Sequence, residues 1–143
     1  MSCKKENKTI LNEEYTCKQW PATEGLAMQM KLIEYAGGSF LNVFTAVRGD
    51  IGDALKGEAD IDVEKMTKAV SSLFSGRDAI DVSNFIIDYI LQADLMVGRE
   101  EFKRHHINAN FSGDNLMHLY VLFWFVITTN YANFFSGQQL SLD

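Results

Sequence analysis

One proline, two cysteines and the lack of any basic run longer than Lys4-Lys5 or Lys103-Arg104 set the first limits on this 143-residue chain. Two cysteines are too few for a disulfide scaffold, and Cys3 and Cys17 do not form a CxxC pair, which fits a reducing compartment. Thirteen Lys and Arg against nineteen Asp and Glu leave a net charge of -6. Nucleic acid requires a concentrated positive footprint to release counterions, and that footprint is missing. Met1 to Lys8 is not followed by the apolar run of a secretory signal, so the expected location is cytoplasmic.

Chemistry is just as sparse. The chain has no P-loop, G-x-G-x-x-G or G-x-S-x-G pattern. Its only histidines are His105, His106 and His118. Glu101 and His105 are spaced i, i+4, but no second pair completes a metal site, so no metal and no cofactor are expected. Asp50, Asp53, Glu58, Asp60, Asp62 and Glu64 crowd a Gly-rich stretch, where capping and solubility explain them better than paired acid catalysis. Neither cysteine has the basic neighbour that activates a thiol. No catalytic residue is assigned, and the chain is expected not to be an enzyme.

What is present is an ordinary globular composition, 47% hydrophobic and 22% charged. That predicts one domain over residues 9–137, between a flexible segment 1–8 and a polar tail 138–143. The expected fold is mainly α, a bundle-like domain of four or five helices, with a short hairpin fitting around the polar bend Asn12-Glu13-Glu14. After Pro21 at a helix start, Leu26, Met30 and Ile33 repeat at i, i+4, i+7 until Gly37-Gly38. Ser39 can cap a short helix carrying Phe40, Phe44 and Val47, and 49–60 reads as a loop. Asp62 can cap a helix with Val63, Met66, Val70 and Leu73 or Phe74 inward before Gly76, and Asp81 another whose stripe from Val82 to Ala93 runs up to Gly98. Arg99 to Asn110 reads as a charged connector, and Asp114 can cap a last helix from Asn115 to about Phe135.

That last helix carries the most information. No charged side chain stands between Asp114 and Asp143, and Leu116 to Ile127 is apolar on nearly every face. Such a helix crosses a membrane, lies at the centre of a domain, or is a core helix whose outer side meets another chain. A membrane span needs about 20 predominantly apolar residues with basic flanks, whereas this run is shorter, holds His118, and ends in Thr128, Thr129 and Asn130. A wholly central helix requires neighbours on every side, which a few short helices supply poorly. Core plus interface is therefore the favoured reading. Tyr120, Phe123, Trp124, Tyr131, Phe134 and Phe135 are its candidate anchors, with Leu26, Met30 and Ile33 as a second apolar surface. For His118, a hydrogen-bonded place near the helix start is expected.

At these residues the chain resembles a family. Phe102, then Phe111-Ser112-Gly113, the uncharged helix, and Asn130-Tyr131-Ala132-Asn133-Phe134-Phe135 look like the C-terminal half of phage tail assembly chaperones. Pro21-Ala22-Thr23-Glu24-Gly25 leading into a Leu/Met helix is similar to the family's start. The resemblance implies a helical, self-associating protein of the host cytoplasm, absent from the mature virion. It would keep the apolar tape-measure protein soluble until tube subunits polymerise, with the major tail tube protein as a further partner. Met28, Met30, Met66, Met96 and Met117 suit an adaptable groove for such a client, although each is also an ordinary core residue. The alternatives are a holin-like membrane protein using a 115–135 helix, and another structural or adaptor protein of a phage particle.

Overall fold

The computed structural model describes residues 4–37, 40 and 63–131. Two strands come first, β1 (Lys5–Ile10) and β2 (Glu13–Lys18), followed by helix α1 (Ala22–Ala36). Helices α2 (Val63–Leu73) and α3 (Ala79–Gln92) lead into strands β3 (Asp94–Val97) and β4 (Glu100–Glu101). Helix α4 (Arg104–Asn110), a 3-10 turn (Gly113–Asn115) and helix α5 (His118–Tyr131) complete the described chain. Five α-helices among the described residues agree with a mainly α fold.

The expected hairpin is half of a larger element, a four-stranded antiparallel sheet in the order β1-β2-β3-β4. Its first turn is Leu11-Asn12, one residue earlier than the polar bend suggested. Both residues have positive φ, 52° and 69°, the backbone that a two-residue hairpin loop demands and that usually calls for Asn-Gly. Strand β1 begins at Lys5, inside the segment 1–8 that composition sets apart.

Four further sequence expectations are corrected. The fourth apolar stripe stops at Gln92, and Asp94–Val97 is a strand with Leu95 and Val97 buried and Asp94 and Met96 exposed. The two backbones meet because β3 pairs with β2 in the register Tyr15↔Val97 and Cys17↔Leu95. The cap of α3 is Asp78, whose Oδ1 accepts from the N–H of Ile80 (2.9 Å) and of Asp81 (3.1 Å). The charged connector holds β4 and α4, because its two large apolar residues, Phe102 and Ile107, are buried. Asp114 lies in the 3-10 turn, and α5 starts only at His118. The cap assigned to Ser39, the loop 49–60, the cap assigned to Asp62, Phe134, Phe135 and the tail 138–143 lie outside the described residues. Phe40 itself is helical and buried.

Helix α5 is the centre of the molecule. Helices α2 and α3 and strands β1 and β2 all pack on it. Every residue from Val121 to Ile127 is buried. The one polar side chain in this stretch is satisfied, since Trp124 Nε1 donates to the Met66 carbonyl at 3.3 Å. At its C-terminal end α5 ties three elements together. Asn130 Oδ1 accepts the Trp20 N–H at 2.9 Å, and Gln19 Nε2 donates to the Thr129 carbonyl at 3.0 Å. The Tyr131 hydroxyl donates to the Gly25 carbonyl of α1 at 2.7 Å. The Asn130-Tyr131 pair therefore fixes where α1 leaves the sheet.

Candidate functional site

Helix α1 starts behind Pro21 (φ -57°) with Glu24 in its first turn and stops at Gly37, whose φ of 75° suits a residue without Cβ. It is apolar on two faces. Met28 and Leu32 are buried against the core. Leu26, Met30 and Ile33, at i, i+4 and i+7, are 61%, 56% and 37% exposed. They form an outward stripe about 10 Å long. This second apolar face has no folding purpose visible in the described residues, which makes it a candidate surface.

The stripe is rigidly mounted. Besides the Tyr131 bond to Gly25, Arg77 donates to the Glu34 carbonyl at 3.2 Å and lies 4.4 Å from the Tyr35 ring centre. Tyr35 stacks flat on Phe85 with ring centres 4.2 Å apart. A pre-ordered helix loses little conformational entropy when a partner covers it.

The aromatic candidates are placed differently from the expectation. Phe123 and Trp124 are 0% and 1% exposed, and Tyr131 is 6% exposed. They are part of the chain's own core and offer no surface to a partner. The sheet is what closes α5 on the side that short helices alone would leave open. Tyr120 is half-buried and lines a cleft of about 780 Å³ between α2, α3, α4 and the start of α5. Val70, Phe74, Val82, Ile86 and Leu119 share the lining, with Leu116 exposed beside them. Of the methionines singled out, Met28 and Met66 are buried, while Met30, Met96 and Met117 reach the surface. Sequence reading missed the cleft because its walls come from four separated elements.

Titratable groups in the core are set against chemistry. Burial pushes the Cys17 thiol up to about 12 and the Tyr131 hydroxyl up to about 12, and it also raises Tyr89. A thiol held in that state is no nucleophile at neutral pH. Glu100, rather than Glu101, meets His105 and His106, with possible ligand atoms within 4.8 Å of one another. His106 Nδ1 accepts the Lys103 N–H at 2.9 Å, so in the neutral ring the proton sits on Nε2, 3.6 Å from Glu100. The one lone pair that a neutral imidazole offers is already engaged, and the residue caps α4 instead of ligating. His118 stands at the start of α5 as expected, but its Nδ1 is buried without a hydrogen-bond partner among the described residues. No helix among the described residues is long and apolar enough to cross a membrane, which weakens a holin-like reading.

Compared with known families, the chain matches the one described as "Phage tail assembly chaperone protein, TAC" over residues 11–141. The match spans nearly the whole sequence, and the chain belongs to the phage tail assembly chaperones. No curated protein and no solved structure matches it.

Proposed function

Starting from membership of the phage tail assembly chaperones, we propose that this chain is a non-enzymatic chaperone that binds the apolar tape-measure protein and keeps it soluble in the host cytoplasm. Tube subunits then polymerise around the client, with the major tail tube protein as a further partner, and the chaperone is absent from the mature virion. The observation that carries this reading is the outward stripe of Leu26, Met30 and Ile33 on a rigidly held α1. A tape-measure helix with an apolar face supplies the complementary stripe, and the unbranched Met30 can repack against successive client segments. The acidic balance of the chain keeps the complex in solution once both apolar faces are covered.

Co-expression with the tape-measure protein should raise the client's soluble yield and let the two be purified together. Covering each stripe residue recovers about 1 kcal/mol of apolar burial, so the combined variant Leu26→Ala, Met30→Ala, Ile33→Ala should bind about 100-fold more weakly. Its melting temperature should stay within a few degrees, because truncation at exposed positions costs about 0.5 kcal/mol or less each. Phe123→Ala and Trp124→Ala, by contrast, should lower the melting temperature sharply. A triple variant that co-purifies like the wild type overturns the assignment to α1. A client no more soluble with the wild-type chain than without it overturns the chaperone reading, and recovery of the chain from purified virions favours a structural or adaptor protein.

A further inference from the structure

Strand β1 is the outermost strand of the sheet, and among the described residues nothing pairs on its far side. Its register with β2 runs from Lys5↔Lys18 to Ile10↔Glu13. Backbone groups alternate in direction along an antiparallel strand. The Lys4 carbonyl accepts the Gln19 N–H at 2.8 Å, so the even positions of β1 turn their N–H and C=O toward β2. From β2, the Glu14 carbonyl accepts the Gly98 N–H at 2.9 Å on the opposite side, which confirms the alternation. The N–H and C=O groups of Lys5, Asn7 and Thr9 therefore point away from the sheet, a template for one more strand.

We propose that this edge pairs with β1 of a second copy of the chain, antiparallel about a two-fold axis through Asn7, joining the two sheets into one. Charge selects the occupant and the register. Outward groups meet only if odd positions face odd positions, and two such registers overlap most of the strand. Centred on Lys8, positions 6–10 would run against 10–6 and place Lys8 against the partner's Lys8. Centred on Asn7, positions 5–9 run against 9–5. Lys5 then faces the partner's Thr9, and Glu6 faces the partner's Lys8 twice over. A shorter overlap centred on Glu6 would oppose two carboxylates.

The pairs of Glu6 with the partner's Lys8 fall at non-hydrogen-bonded sites, where side chains approach most closely and like charges are penalised. Glu6 is exposed and Lys8 half-buried. Charged residues on an edge ordinarily prevent indiscriminate pairing. Here the same residues reject the neighbouring registers and leave one self-complementary arrangement, as an isologous interface requires.

The test uses the full chain and does not depend on the α1 stripe. Sedimentation over a rising concentration series should show a dimer that weakens with added salt. Glu6→Lys alone and Lys8→Glu alone each turn two attractive pairs into two repulsive ones. Each should weaken dimerisation about tenfold or more, with circular dichroism unchanged. Mixing the two single variants should restore a dimer, now between unlike chains, and the double variant Glu6→Lys, Lys8→Glu should dimerise by itself. Asn7→Pro removes the central outward N–H without touching the ladder to β2 and should give a monomer. A wild-type chain that stays monomeric at ~100 μM overturns the proposal, as does a dimer indifferent to all these changes. If Asn7→Pro abolishes co-purification of the tape-measure protein from a monomeric chain, the edge receives a client strand and the second copy is excluded.

Discussion

Asn130 is the residue whose removal tests the junction of sheet, α1 and α5 most directly. Its Oδ1 accepts the Trp20 N–H at 2.9 Å, and its Nδ2 donates to the Val126 carbonyl at 3.0 Å one turn back in α5. Asn130→Ala deletes both bonds. Trp20 is 7% exposed, so water replaces the lost acceptor poorly. A buried donor deprived of its acceptor costs about 1–3 kcal/mol. The bond to Val126 is worth about 0.5 kcal/mol or more, and the better helix propensity of Ala returns a similar amount. The net expectation is a loss of about 1–3 kcal/mol, or about 3–10 °C in melting temperature for a domain of this size. Urea titration followed by circular dichroism should show a lower midpoint at an unchanged slope, the signature of lost stability rather than an altered denatured state. Tyr131→Phe, which removes the hydroxyl bond to Gly25, should cost about 1 kcal/mol by the same assay. An Asn130→Ala chain within 0.5 kcal/mol of the wild type would show that the junction is held by packing alone.

Two other perturbations have defined outcomes. Asp78→Ala deprives α3 of its cap on the N–H groups of Ile80 and Asp81 and should cost about 1 kcal/mol in thermal or urea unfolding, whereas Asp81→Ala should cost much less. In a Cys3→Ser background, Cys17 should resist iodoacetamide at pH 8 until urea unfolds the chain, because burial holds its thiol up at about 12. The thiol binds its proton more tightly folded than unfolded, so its contribution to stability is complete below about pH 8.5 and is lost as pH rises toward 12. A urea midpoint constant from pH 8 to 11.5 would refute that linkage.

Period and composition made the helices and the first hairpin legible and left the other half of the sheet hidden. Met66, Val70 and Leu73 face inward in α2 as their spacing predicts, and so do Ile86, Tyr89 and Ile90 in α3. Asp94–Val97 escaped because four residues of alternation also fit the end of a helical stripe, and what makes them a strand is β2, nearly 80 positions away. Leu11-Asn12 escaped because neither residue is glycine, although both adopt the left-handed backbone. The aromatics of α5 raised a different difficulty. Large apolar side chains are the chemistry of cores and of interfaces alike, and what separates the two is the number of elements packed around the helix. That number is a property of the whole fold. The stripe of α1 was legible as spacing, while its outward direction depends on Met28 and Leu32 having taken the inner side.

The bonds from Gln19 and Trp20 to Thr129 and Asn130 join positions 110 residues apart. During synthesis at about 5–20 residues per second, the second half of that junction follows the first by on the order of 5 to 20 seconds. For that interval Tyr15, Cys17 and Trp20 have no α5 to cover them, and the nascent hairpin must wait with its apolar face open. Docking of the hairpin onto α5 therefore waits for the end of synthesis, and its high sequence separation makes it slow relative to formation of the helices. Any translation product that carries the chain through Tyr131 leaves the ribosome able to make this junction, and one that stops earlier keeps the hairpin's apolar face exposed.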